Sequence, residues 1–186
     1  MKHALRRLLP LVALVAALLA VAPVSPASAH GTRQSVTSLQ LDPGAGAALQ
    51  SLGVSVAPVA PAFANENGLN FPIVNSLGNI LRTGKIRHAG GIALTAGSTR
   101  VELTNFTIRI DRHPDLTALV GGQRVSILDL DFANARPGFR GGVLTLGPVG
   151  ARLTQTAADA LNGAFGVTAF TKGLLLGQAT VRLRLF

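Results

Sequence analysis

The chain has 186 residues, a formal net charge of +9 and no cysteine, tryptophan or tyrosine. The lack of cysteine excludes disulfides and thiolate metal sites, so hydrophobic burial has to stabilise the fold. The arginines and lysines are scattered singly along the sequence rather than grouped in a basic run. Because basic runs and stacking aromatic side chains are typical of nucleic-acid-binding proteins, the composition argues against that function.

The start of the chain has the parts of a secretory signal peptide. Three cations within the first seven residues precede an apolar run at 8–21, and a small-residue motif, Ala-Ser-Ala, ends at Ala29. The apolar run is shorter than the roughly 20 residues that span a bilayer, and no later run reaches that length. We therefore predict a signal peptide at 1–29, secretion without a transmembrane segment, and a single mature domain at 30–186.

Alternation of apolar and polar residues between turn residues predicts strands along most of the mature chain. The predicted strands are 36–41, 54–59, 69–73, a paired set within 84–110, 116–120, 123–132, 142–146, 149–153 and 178–186. In the strand 123–132, Leu128 and Leu130 point inward while Asp129 and Asp131 point outward. About nine or ten short strands predict an all-β fold, an antiparallel sandwich or flattened barrel.

Two short helices are predicted between the strands. Asp42 suits the start of a helix at 45–52, and Thr154 or Thr156 suits the start of a second helix that ends near Phe165. A weak capping box that begins at Thr156 supports the later start. The irregular connections are predicted at 65–68, 75–84 and 133–140.

The stretch 84–110 contains the most conspicuous histidine of the chain, His88. If this stretch pairs as a hairpin, Ile86, His88, Ile92 and Leu94 share one face, which we expect to be buried. The apolar pattern changes phase near Asn105, and a β-bulge there would account for the change.

His88 and its neighbours admit two interpretations. A histidine on an apolar face is either a core residue hydrogen-bonded to the backbone or a ligand-binding group. Gly90 and Gly91 allow close approach of a flat ligand, although glycines also mark bulges. Arg87 and Arg100 are candidates to meet acidic groups of a ligand, since arginine suits carboxylates, or they belong to a solvated outer face.

An alternative function follows from the predicted cleavage site. Cleavage after Ala29 would make His30 the N-terminal residue, whose amino group and imidazole form a chelating pair. Such a pair suits Cu(II), which ranks highest among divalent first-row metals for nitrogen ligands. With a second histidine, His88 or His113, the chain would be a copper-binding exported protein.

The sequence contains no signature of catalysis. Neither a G-x-S-x-G elbow nor an H-E-x-x-H motif occurs. The one close carboxylate pair, Asp129 and Asp131, shares the outward face of a predicted strand, which suits solubility or pairing with arginine. We therefore predict that the protein is not an enzyme.

Two stretches resemble a known family. Residues 84–110, which include RHAGGIAL, resemble the histidine-containing core of HtaA-type domains, and LTQTAADALNGAFGV at 153–167 is similar to a helical segment near the end of those domains. HtaA-type domains are β-rich secreted or surface modules of actinobacteria, some of which bind haem. The resemblance implies a β-sandwich with a small helix, exported for haem uptake or relay.

The resemblance also implies a ligand arrangement in which a histidine supports an axial tyrosine. His88 matches the histidine of that arrangement. The chain departs from it because it contains no tyrosine, so haem would need another axial ligand, such as His88.

The sequence therefore predicts a non-enzymatic HtaA-like binding module, secreted or associated with the cell envelope. Haem or another small ligand would be bound around His88. A copper-binding protein and a purely structural or adhesive surface domain are the other hypotheses.

Overall fold

The computed structural model describes residues 34–185, which form twelve strands and three helices. The strands are β1 (Val36–Leu41), β2 (Ser55–Val59), β3 (Phe63–Asn65), β4 (Gly68–Pro72), β5 (Lys85–Arg87), β6 (Gly91–Ala96), β7 (Thr99–Arg109), β8 (Asp115–Val120), β9 (Gln123–Asp131), β10 (Arg136–Arg140), β11 (Val143–Leu153) and β12 (Leu175–Arg184). The helices are α1 (Pro43–Ser51), α2 (Leu77–Thr83) and α3 (Gln155–Phe165). None of these described helices is long and apolar enough to cross a membrane. The predicted signal peptide, His30 and Phe186 lie outside the described residues.

Within residues 34–185, every strand belongs to one antiparallel sheet, which is curved like a nearly closed barrel. The order along the sheet is β2-β6-β7-β8-β9-β11-β12-β1-β4-β3, with β10 paired to β11 and β5 paired to β7. Neighbours in sequence are mostly neighbours in the sheet, as short hairpin connections require. The predicted all-β class is confirmed.

The strands alternate between the core and the surface. In β12, Ala179, Val181 and Leu183 are buried, and in β9, Leu128 and Leu130 are buried on either side of the exposed Asp129. Because successive side chains of a strand point to opposite faces, this alternation gives the barrel an apolar interior. The predicted inward positions of 123–132 are therefore confirmed.

The predicted hairpin and bulge at 84–110 are also confirmed. β6 pairs with β7 across a turn after Ala96. Ile86, His88 and Leu94 are buried, and Ile92 is partly buried and packs against the core. The register of β7 against β8 shifts between Thr104 and Thr107, and Asn105, between them, has a positive φ of 51°. A bulge therefore reverses which alternate residues of β7 face the core in the second half of the strand.

All three predicted connections are wrong in part, because each overlaps regular structure. Residues Phe63–Asn65 form β3, which pairs with β4 in a tight hairpin. The connection 75–84 contains α2, which begins after Ser76, whose hydroxyl accepts the Asn79 N–H at 3.3 Å. α2 ends at Gly84, in the left-handed conformation with φ of 62°. A serine N-cap and a C-terminal glycine are ordinary helix boundaries, but a seven-residue helix has too few apolar positions to show a period.

The predicted loop 133–140 contains β10, which pairs with β11. All five residues of β10 are exposed, so no apolar alternation marks it. The two predicted strands 142–146 and 149–153 are instead the single strand β11, which continues through a register shift between Leu146 and Val149.

The second predicted helix begins at the earlier of its two candidate positions. Thr154 caps α3 by accepting the Ala157 N–H at 3.1 Å, and its hydroxyl donates to the Ser126 carbonyl in β9 at 2.9 Å. The capping box that favoured Thr156 is therefore wrong. The Ser126 contact explains the difference, because a cap that also anchors the helix to the sheet is favoured over one that faces solvent.

Candidate functional site

His88 lies where the two ends of the sheet come together. It follows β5, its backbone forms a bridge with Ile73, and its N–H donates to the Phe106 carbonyl in β7 at 2.8 Å. The next N–H, that of Ala89, donates to the Pro72 carbonyl in β4 at 2.9 Å. The segment around His88 therefore joins β4 to β7 and closes this part of the barrel.

His88 is only 4% exposed, and both of its ring nitrogens have hydrogen-bond partners. Nδ1 lies 3.2 Å from the Phe106 carbonyl oxygen, which can only accept, so Nδ1 carries the proton. Nε2 lies 2.7 Å from the Thr37 hydroxyl in β1, which therefore donates to it. The side chain holds a single tautomer and links β1 to β7 across the interior of the barrel.

The surroundings of His88 favour its neutral form. Burial lowers the pKa of His88 from 6.5 to about 4, and the hydrogen bond to Phe106 opposes this only in part. A charged imidazole would lose its hydration in the apolar interior without gaining an anionic partner. This geometry is that of a core histidine, one of the two interpretations that the sequence left open.

Gly90 and Gly91 are needed for packing of the backbone. Gly90 has a φ of 76°, and a Cβ there would overlap the Ala62 amide and lie 2.6 Å from the Val59 carbonyl. A Cβ on Gly91 would overlap the Leu103 carbonyl of β7. Both glycines therefore let neighbouring segments approach closely, and their predicted role beside a flat ligand stays a prediction.

Gly91→Ala is expected to lower the free energy of unfolding by about 2–3 kcal/mol, because β6 has to move away from β7 to admit the new methyl group. Gly163→Ala in α3 is the matched control, since its added Cβ would have no described atom within 4 Å apart from its chain neighbours and the backbone of its own helix. The control should keep or slightly raise stability. Urea denaturation of both variants measures the difference, and equal stabilities would contradict this role for Gly91.

Arg87 and Arg100 are both on the outer surface, and Arg100 is far from His88. Arg100 lies near the turn that joins β6 to β7, where its guanidinium contacts Glu102 at 2.7 Å. His88 contacts Phe106, which lies in β7 like Arg100 but six residues further along the strand. Six residues of an extended strand span about 20 Å. The structure does not bring Arg100 and His88 into one site, and a ligand role for the two arginines stays a prediction.

A second polar cluster, which was not predicted from the sequence, surrounds the buried Asp115 at the start of β8. The Arg109 guanidinium donates to both carboxylate oxygens, at 2.6 and 2.5 Å, and the Ser126 hydroxyl donates at 2.7 Å. Desolvation raises the pKa of Asp115, but the bonds from Arg109 and Ser126 outweigh it and hold the pKa below its ordinary value. Arg109 and Asp115 pair across the turn between β7 and β8, so opposite charges flanking a hairpin turn were the signal available in the sequence.

The described residues contain no group that is set up to bind a metal ion. Among residues 34–185, no three His, Cys, Asp or Glu side chains lie close enough together to hold one. Every buried polar side-chain atom in the same range has a hydrogen-bond partner. The copper alternative depends on His30, outside this range, and stays a prediction.

An apolar cavity of about 110 Å³ lies inside the barrel. Its lining comes from strands all around the sheet and from α3. Thr37 is the one polar side chain among the described residues that line it, and the hydroxyl of Thr37 is bonded to His88. Thr37 therefore forms part of the wall of this cavity, whereas His88, to which it is bonded, is not among the lining residues.

The fold defines the class of protein as a single-sheet antiparallel β-barrel with short helices. No protein-family model matches the chain, and no curated protein sequence matches it. Solved structures do match it, and they define the fold.

The chain is similar to the C-terminal domain of HtaA from Corynebacterium glutamicum, with a TM-score of 0.55 and 16% identity over 80% of this chain and 95% of that domain. A histidine-to-alanine variant of that domain, crystallised as a domain-swapped dimer, matches with a TM-score of 0.50 and 17% identity over 77% and 95%. The heme-binding protein HtaB from the same organism matches with a TM-score of 0.48 and 12% identity over 80% and 91%. The chain therefore has an HtaA-like fold.

Proposed function

We propose that the chain is a non-enzymatic binding module of the cell envelope, built on the HtaA-like fold. The observation that carries this proposal is the match to the HtaA domain, which extends over 95% of that domain. The resemblance of residues 84–110 to HtaA-type domains is independent support, since it was found from the sequence pattern. Both point to an exported module that binds rather than transforms its ligand.

The bonds of the buried polar groups support a non-enzymatic role. A catalytic acid, base or nucleophile has to be within reach of a substrate. The ring nitrogens of the buried His88 are instead hydrogen-bonded to Thr37 and Phe106. The carboxylate of the buried Asp115 is hydrogen-bonded to Arg109 and Ser126. These bonds connect strands, so their role is to hold the barrel together.

The residues around His88 do not fit axial ligation of haem. A histidine ligand needs an imidazole nitrogen that faces the iron, but the two nitrogens of His88 are bonded to Phe106 and Thr37. The Thr37 hydroxyl stands beside Nε2, where the family resemblance implies a tyrosine. The cavity of about 110 Å³ is also below the roughly 300 Å³ of the smallest common ligand pockets. Haem in contact with this module would have to lie outside the barrel, without His88 as its ligand.

A haem titration tests this conclusion. Hemin added to the wild type, to His88→Gln and to His113→Gln should give the same Soret spectrum in all three, because neither histidine is expected to ligate iron. His113→Gln is the control for loss of an exposed histidine. A histidine-ligated spectrum in the wild type and in His113→Gln that is lost in His88→Gln would contradict the structural role of His88.

Export is tested by fractionation of a Gram-positive host that makes the tagged full-length chain. Mass spectrometry of the culture medium and envelope fractions should find a chain that begins at His30, because residues 1–29 resemble a signal peptide. A variant that lacks residues 2–29 should remain in the cytosol. Full-length chain confined to the cytosol would contradict the cell-envelope assignment.

A further inference from the structure

The cavity inside the barrel is large for a natural protein core. Protein interiors are close-packed, and voids larger than a water molecule are few. A volume of about 110 Å³ is several times the roughly 30 Å³ that one water occupies in the liquid. The walls include Leu39 of β1, Ile92 of β6, Leu103 and Phe106 of β7, and Ile127 of β9. These residues come from different parts of the sheet, so the cavity occupies the middle of the barrel.

The chemistry of the walls disfavours water as the occupant. A buried water needs two to four hydrogen-bond partners. Thr37 supplies the one side-chain hydroxyl among the described lining residues, and its proton is already donated to Nε2 of His88. A water in the cavity could therefore only donate a single bond to the Thr37 oxygen, and its remaining groups would face hydrocarbon.

We propose that the cavity is a binding site for a small, uncharged hydrocarbon molecule, about the size of benzene. An engineered apolar cavity of about 150 Å³ stays dry and binds benzene or xenon, and the present cavity has a similar lining and a somewhat smaller volume. Charged or strongly polar molecules are excluded, because the site would strip their hydration without replacing it. The site is distinct from any haem contact and does not depend on one.

The His88 hydrogen bonds contribute to the selectivity of this site. Because Thr37 donates to His88, its hydroxyl does not offer a proton to a ligand. The hydroxyl oxygen can accept, so a weak donor such as the edge of an aromatic ring is tolerated in that direction. The site therefore accepts benzene-sized hydrocarbons in preference to molecules with a hydrogen-bond acceptor.

Methyl NMR of the purified wild type tests the proposal directly. Benzene is titrated into protein labelled at the methyl groups of Ile, Leu and Val. Ring-current shifts should be saturable and confined to lining methyls, such as those of Leu39, Ile92 and Ile127. Ile80 and Ile86 are the internal controls, since both are buried and neither lines the cavity.

A second experiment uses cavity-filling variants. Ala151 of β11 and Ala157 of α3 both line the cavity, so Ala151→Leu and Ala157→Leu each place extra methyl groups in it. Ala48→Leu on the exposed side of α1 is the matched control. At about ten times its dissociation constant, benzene should raise Tm of the wild type and of Ala48→Leu by about 3–6 °C and leave the filled variants unchanged.

The two experiments distinguish benzene binding in the cavity from binding elsewhere or no binding. Saturable shifts confined to lining methyls support the proposal even if both filled variants fail to fold. No saturable shift in the wild type overturns it. Shifts at Ile80 or Ile86 as large as those at the lining methyls, or an equal gain in Tm for a folded filled variant, also overturn it, because benzene would then bind elsewhere.

Discussion

Lowering the pH from 7 to 4 is expected to reduce the free energy of unfolding by about 3 kcal/mol through His88. The pKa of His88 is about 4 in the folded protein and 6.5 when unfolded. Between these two values the unfolded chain binds a proton that the folded chain does not, so acid favours unfolding. The stabilisation is complete above pH 6.5, declines as pH falls through this window, and is gone below about pH 4.

Urea denaturation at several pH values between 7 and 4 measures this effect. In His88→Gln the slope of stability against pH should largely disappear, although the variant is less stable at pH 7 because it loses well-placed hydrogen bonds. His113→Gln, at an exposed position, should keep the wild-type slope. A wild type with no slope between pH 6.5 and 4 would show that His88 is not a buried, neutral imidazole.

Arg109→Met is expected to lower the free energy of unfolding by about 2–3 kcal/mol at pH 7. The substitution leaves the Asp115 carboxylate, whose side chain is 6% exposed, with the hydrogen bond from the Ser126 hydroxyl. Breaking a fully buried ion pair costs about 3–5 kcal/mol, and the smaller value applies because the Arg109 side chain is 44% exposed. Without Arg109 the pKa of Asp115 should rise.

Removing Arg109 and removing the charge of Asp115 are expected to lower the free energy of unfolding by different amounts. Asp115→Asn should lower the free energy of unfolding by less than Arg109→Met does. The half-exposed Arg109 side chain can then be hydrated, and the new amide oxygen can still accept the Ser126 hydrogen bond. Arg100→Met should cost less than about 1 kcal/mol, because Arg100 and Glu102 form an exposed pair. Denaturation of the three variants gives the ranking. A smaller loss for Arg109→Met than for Arg100→Met would contradict the buried role of Asp115.

The two acid-sensitive groups act in different pH ranges. The pKa of Asp115 is held below its ordinary value of 3.8, so its contribution is present at neutral pH and is lost only as pH falls through the lowered pKa. The contribution of His88 is lost earlier, between pH 6.5 and about 4. Acid destabilisation should therefore occur in two stages.

Local sequence signals predicted much of the fold. β1 occupies the predicted residues 36–41, and the phase change at Asn105 correctly indicated a bulge. β10 was missed because all of its residues are exposed, and its Pro137 and Gly138 are typical of a loop. Pairing with β11 across a two-residue turn makes β10 a strand, and Gly141 and Gly142, whose φ values are 56° and 76°, were the local hairpin signal available in the sequence.

The site was less predictable than the fold. The burial of His88 follows from its position among apolar residues, but its partner Thr37 is 51 residues away and in another strand. Only the closed sheet brings these two side chains together, so no spacing in the sequence could have indicated the bond. Gly91 beside His88 suggested room for a ligand, whereas the structure shows a close approach of β6 to β7.

The central claim is that His88 is a neutral, buried imidazole whose hydrogen bonds connect β1 to β7. Nitrogen-15 NMR of the folded protein tests it most directly, because the two ring-nitrogen shifts report both tautomer and protonation. We expect the Nδ1–H tautomer, unchanged from pH 7.5 down to about pH 5. An Nε2–H tautomer, or an imidazole that titrates near pH 6.5 in the folded protein, would contradict the account.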